Sequence, residues 1–225
     1  MKIFQQKVKP IIDDFLLAKK MVFTNREGET EFDIPRDFYK RRAPGISAMV
    51  RLKNEEEWVQ PALLSVKDLF DEIVVVFQNC TDSTEQKVAE LNLPNLVSYH
   101  YHFDCLPNGL DVPNHPLNSV HTKAYYYNWC LSKTTRQWVC KWDGDMVAMD
   151  WLSNNVRDLL HQTDIINIYG VDIVGKELRH VGEKVYTGTE PRFFRVNKDT
   201  FYHNGYITQV FSTPRRRHLR HNKTR

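Results

Sequence analysis

The stretch RQWVCKWDGDM, residues 136–146, decides the fold. Its first seven residues read as a buried strand, rich in aromatic and β-branched side chains. The strand ends in two carboxylates, Asp143 and Asp145, with one glycine between them. Carboxylates at i and i+2 on a turn can point the same way and present hard oxygen ligands suited to Mg²⁺ or Mn²⁺. Gly144 lets the backbone bend there and approach a ligand closely. An acidic turn alone is more often plain solvated surface, so its meaning depends on what surrounds it.

Working outward, the stretch KAYYYNWCLSK, residues 123–133, precedes it and reads as a helix. Further upstream, ISAMVRL (46–52) is a strand. KNEEEWVQPALLSVKDLF follows, with Val59, Ala62, Leu63, Val66 and Phe70 spaced as one helix face. Pro61 falls in the first turns of that helix, where its missing N–H does little harm. EIVVVFQ (72–78) reads as a strand buried on both faces, NCTDST as a turn, 84–91 as a helix and NLVSYHYHF (95–103) as a third strand. A loop rich in Pro, Asn and Gly runs over 104–119, and long loops of this kind are often functional.

The order β-α-β-α-β-loop-α-β predicts an α/β domain with a mostly parallel sheet and helices on both faces. Right-handed crossovers bring the strand C-termini to one edge, where ligands bind in such folds. KNEE, QNCTD and the D-G-D turn all fall on that edge. Beyond Trp151 we expect a helix over 154–161, a strand over DIINIYGVDIVG (164–175), then antiparallel PRFFRVNK (191–198) and YITQVF (206–211). The domain is set at residues 44–212, with an N-terminal extension over 1–43 carrying an amphipathic helix over 8–21, and a basic tail over 213–225.

The chain has 225 residues, 41% hydrophobic, with a formal net charge of +3. That supports one sizeable core and is too mildly basic to suggest nucleic acid. The four cysteines match no zinc spacing and read as reduced thiols of a reducing compartment. Asp13 and Asp14 interrupt the N-terminal apolar run, which argues against a signal peptide, and no run is long enough to span a bilayer. The tail PRRRHLRHNKTR carries six Lys or Arg in twelve residues; it is either a solvated end or a peripheral contact with anionic lipid or acidic glycan. The expected location is cytoplasmic, at the inner face of a membrane if the tail engages lipid.

In this order, ISAMVRLKNEEEWV, EIVVVFQNCTDST, HTKAYYYNWCLSKTTRQWVCKWDGDM and EPRFFR resemble the family 2 glycosyltransferases of the GT-A fold, over roughly residues 45–211. The resemblance implies transfer of a sugar from a nucleoside-diphosphate sugar, with Mn²⁺ or Mg²⁺, to a hydroxyl of a glycan or lipid-linked acceptor, with inversion. Asp145 matches the metal-binding second Asp of the family's D-x-D. Asp143 matches the first, near the ribose and sugar, and counts as catalytic. Asn54 and Glu55 match the N-E near the nucleotide, Asp82 the acid of the S-T-D turn, and Lys123 a diphosphate or base contact. Where relatives often carry a base-reading Asp just after the second strand, this chain has Phe77 or Gln78, and Gln78 or Asn79 would meet a base edge with neutral groups instead. Arg51, where many relatives have a small or apolar residue, joins the donor-contact candidates. For the catalytic base the first choice is Glu190, with Glu183 and Asp172 as competitors; His203, His218 and His221 are candidates for a further metal ligand. Two other readings remain: a non-catalytic nucleotide-sugar or glycan-binding GT-A domain, and a sugar nucleotidyltransferase. RLKNEEEWV lacks the Gly-rich basic loop that the second would need.

Overall fold

The computed structural model describes residues 22–107, 109, 115–168, 173–174, 177–178, 190–204 and 209–212. Residue 190 and residues 173–174, 177–178 and 209–212 are described as backbone only. The expected helix over 8–21, Asp172, Glu183, His218, His221 and the basic tail lie outside the described residues.

A six-stranded sheet organises the domain. Its strands are β1 (Ala43–Leu52), β2 (Glu72–Phe77), β3 (Leu96–His100), β4 (Arg136–Asp143), β5 (Ile165–Ile168) and β8 (Glu190–Arg195). Their order across the sheet is β3-β2-β1-β4-β8-β5. β1 pairs in parallel with β2 and β4, and β2 with β3. β8 runs antiparallel to both β4 and β5. Two hairpins complete the described chain: β6 (Ile173–Val174) with β7 (Glu177–Leu178), and β9 (Phe201–Asn204) with β10 (Gln209–Ser212). The α/β class, the mostly parallel sheet and the antiparallel C-terminal elements are as the sequence leads one to expect.

Strand alternation splits the core into two layers. Val50, Leu52, Val75, Phe77, Cys140 and Trp142 face helices α1 (Val59–Leu64) and α4 (Asp150–Leu159), which contribute Val59, Leu63, Leu152 and Val156. α2 (Thr84–Glu90) adds Val88 to this layer. On the other face, Met49, Val74, Val76, Val139 and Phe194 meet Tyr125, Tyr126, Trp129 and Cys130 of α3 (Lys123–Lys133). Burial on both faces explains the near-continuous apolar runs of β1, β2 and β4. Residues 22–43 pack on this second face, where Phe32 and Ile34 are buried. The Tyr125 hydroxyl donates towards the carbonyls of Phe23 and Phe32 at 3.2 Å each.

Several boundaries differ from expectation. The apolar face read as one helix through Phe70 breaks after Leu64. The Ser65 hydroxyl bonds back to the Ala62 carbonyl, and the chain continues in turns closed by Val66 N–H to Leu63 O and Leu69 N–H to Val66 O. Val66 and Phe70 still reach the core. α4 begins at Asp150 rather than near 154, with the acid in its first turn, where it complements the helix dipole. The strand expected over 164–175 ends at Ile168, and Ile173–Val174 joins a separate hairpin.

Candidate active site

The C-terminal ends of β1, β2 and β4 carry the site, and the loops after β1 and β2 are tied together by side-chain hydrogen bonds. Asn54, at φ 57°, accepts the Thr81 N–H at 2.8 Å and donates its amide to the Thr81 hydroxyl at 3.1 Å. The Glu55 N–H donates to the Thr84 hydroxyl at 2.7 Å. Asp82 accepts the N–H of Glu56 at 3.2 Å and that of Thr84 at 3.0 Å. Burial works against its ionisation, but these bonds hold its carboxyl below the ordinary range. Asn54 and Asp82 therefore build the double loop that presents Glu55.

Glu55 lies against the D-G-D turn. A Cβ at Gly144 would stand 3.0 Å from the Glu55 Cγ and would collide with Leu52. The glycine is needed for this approach of Leu52 and Glu55; it is not at positive φ, so the turn does not demand it on backbone grounds. Burial raises the Glu55 carboxyl, and the neighbouring Asp145, Asp143 and Asp82 raise it further. Asp145 is exposed, and no hydrogen bond or ion pair holds its carboxylate among the described residues.

Asp143 is in a different position. Arg51 donates to its Oδ1 at 2.6 Å and Arg192 to its Oδ2 at 2.5 Å. Desolvation opposes its charge, but Arg51, then Arg192 and Lys141, outweigh it and lower the carboxyl's pKa. The Arg51 guanidinium also stacks on the Tyr127 ring, 3.9 Å from its centroid. Arg51 thus reaches Asp143 directly, and Arg192 is a partner the sequence reading did not single out. Lys141, one turn of the pleat below Asp143, is buried with its ammonium 6.0 Å from the same ring.

The remaining candidates are placed as follows. Gln78 is buried and donates its amide to the Phe103 carbonyl at 3.0 Å; Asn79, at φ 47°, is exposed and donates to the His102 carbonyl at 3.3 Å. Lys123 opens α3, behind a Thr122 cap that accepts the Tyr125 N–H. Lys123 and Lys53 both act on the Cys105 thiol, which burial pushes up to about 11. Lys53 pairs with Asp104 of the long loop at 2.8 Å. Glu190 opens β8, its backbone paired with Ile168. His203 lies in β9, its Nδ1 3.2 Å from the Asn204 carbonyl.

Among the described residues no three His, Cys, Asp or Glu side chains gather as a metal cage. The donor set still fits a divalent cation of the Mg²⁺ or Mn²⁺ kind. Such ions bind through one or two carboxylates and complete their shell with water and substrate phosphate. Asp145 offers an exposed carboxylate, and Glu55 beside it carries the repulsion that a cation would relieve.

No protein-family model and no curated protein matches the chain. Among solved structures, the crystal structure of S. aureus TarS 1–349 is similar at 22% identity and a TM-score of 0.41, covering 59% of this chain and 38% of that one. The glucosyl-3-phosphoglycerate synthase of Mycobacterium tuberculosis in complex with UDP is similar at 21% identity and a TM-score of 0.33, covering 50% and 37%. The same enzyme with Mn²⁺, UDP and phosphoglyceric acid gives 21%, 0.33, 50% and 36%. The chain spans well under half the length of these structures. No helix among the described residues is long and apolar enough to cross a membrane.

Proposed function

We propose that residues 44–212 form a GT-A glycosyltransferase domain that takes a nucleoside-diphosphate sugar, with Mn²⁺ or Mg²⁺, and transfers the sugar to an acceptor hydroxyl. The observation that carries this reading is the exposed Asp145 beside Glu55, pressed across Gly144 at the C-terminal edge of a mostly parallel sheet. That edge is where nucleotides bind in open α/β sheets.

Asp145 would hold the cation, with Glu55 beside it. A bound cation there would neutralise the diphosphate as it leaves. Asp143 positions the donor side of the turn. Asn54, Asn79 and Gln78 line the nucleotide end, and Lys123 at the α3 N-terminus faces anionic groups favourably. Glu190 is the proposed base: it would take the proton of the acceptor hydroxyl as that oxygen attacks the anomeric carbon from the side opposite the diphosphate, giving inversion. The acceptor is proposed as a glycan or a lipid-linked glycan, and the basic tail as its peripheral contact with anionic surfaces.

The test is turnover. Sugar transfer or donor hydrolysis with Mn²⁺ should stop on chelation and should fall by about 10²–10⁴-fold in Glu190→Gln. Metal-dependent donor binding without any turnover would instead favour a non-catalytic binding domain.

A further inference from the structure

We propose that Arg51 and Arg192 are positioning residues, which grip Asp143 by both carboxylate oxygens and so fix the D-G-D turn against the strand that opens with Glu190. This rests on the glycosyltransferase reading above.

The grip starts from register. Arg51 and Asp143 are direct partners on the parallel strands β1 and β4, so their side chains leave the sheet on the same face. The Arg51 side chain is 9% exposed, and the face of Tyr127 beneath it restricts its planar fork. Its Nε has no hydrogen-bond partner, so the ring and Asp143 define its place.

Arg192 arrives differently. The β5–β8 register steps from Ile166–Phe193 to Asn167–Pro191, a β-bulge with Arg192 as the extra residue. Alternation from Phe194 keeps Arg192 on the face of Asp143, and bulges concentrate beside active sites. Here the Arg192 guanidinium crosses to β4, where it meets Asp143 Oδ2 and the Lys141 carbonyl at 3.4 Å. Its side chain is 16% exposed.

Two consequences follow. Each Asp143 oxygen already accepts a charge-assisted bond, and two guanidiniums repel a divalent cation at that carboxylate. Asp143 therefore acts as an anchor, and cation binding falls to its neighbour two residues on. The same carboxylate joins β1, β4 and β8, so the donor turn and the strand two residues from Glu190 move as one body. A surface ion pair would do neither; partial burial and the double grip give the geometry its rigidity.

The experiment titrates Mn²⁺ with UDP, GDP and dTDP against wild type, Arg51→Met, Arg192→Met, Arg192→Lys and Asp145→Asn, well below each variant's Tm. We expect Arg51→Met and Arg192→Met to weaken Mn²⁺-nucleotide binding by about tenfold or more, with Arg192→Lys between them and wild type. kcat should fall along with affinity. A purely structural role would lower Tm and leave the affinity of the folded protein unchanged. Wild-type affinity in folded Arg192→Met therefore overturns the proposal, as does loss of folding in all three arginine variants. If Asp145→Asn alone abolishes binding, the glycosyltransferase reading stands without the grip. If wild type binds no nucleotide, both fall.

Discussion

Glu55 rests against Gly144, with its Cγ 3.0 Å from where a Cβ would sit. One loop thereby sets the height of the D-G-D turn above the sheet. Gly144→Ala would push against Glu55 and Leu52, and Leu52 is fully buried in the α1 layer. We expect a loss of about 1–3 kcal/mol from overpacking, read by chemical denaturation. We also expect weaker cation-dependent nucleotide binding, because the turn must rise to admit the methyl group.

Asp145→Asn should behave in the opposite way. Its carboxylate is exposed and holds no bond among the described residues, so folding stability should change by less than about 0.5 kcal/mol. Metal-dependent nucleotide binding should nevertheless be lost. A Tm scan beside a binding isotherm separates the two effects.

Phe32 belongs to residues 22–43, which the sequence assigns to an extension ahead of the domain. Its ring is 4% exposed and meets Tyr101, Phe103 and Trp129 with centroids 4.9–5.4 Å apart. Phe32→Ala should cost about 3–5 kcal/mol, measured by urea unfolding. A chain starting at residue 44 should be correspondingly less stable than the full chain.

Glu27 links the same segment to the turn before α3. It accepts the Ser119 hydroxyl at 2.6 Å and the Val120 N–H at 3.1 Å. Desolvation tends to raise its carboxyl, but the Ser119 bond and then the Val120 bond lower it overall. A lowered carboxyl stabilises the fold above its unfolded pKa of about 4.3, and that stabilisation is lost as pH falls through the folded value. Glu27→Gln should cost about 0.5–1 kcal/mol at pH 7, after allowance for solvent screening of an exposed group. The difference from wild type should shrink as pH falls below about 4. Unfolding free energies across pH 3–7 (approximate limits) check the sign.

The chain order of strands and helices was legible because its periods are clean. α3 runs over the residues the sequence marks, and β1, β2 and β4 follow their apolar runs. The three edge clusters meet because parallel strands must bring their C-termini together. What the sequence hid were tertiary effects. Ser65 ends α1 through its own hydroxyl, although the apolar spacing continues to Phe70. Arg192 sits in a stretch, PRFFR, whose two phenylalanines are buried in opposite layers. Alternation puts Arg192 on the face of Phe194, but only the antiparallel register with β4 brings it to Asp143. Arg51 draws notice in the sequence only because many relatives have a small or apolar residue there, and the register with Asp143 explains it. Glu190 is placed by its backbone at the start of β8.

Calorimetric titration of UDP, GDP and dTDP, with and without Mn²⁺, into wild type and Asp145→Asn tests the central claim most directly. The account predicts tight binding of one nucleotide that requires the cation and disappears in the mutant. Binding of no nucleotide under any condition, or binding indifferent to both cation and Asp145, would contradict it.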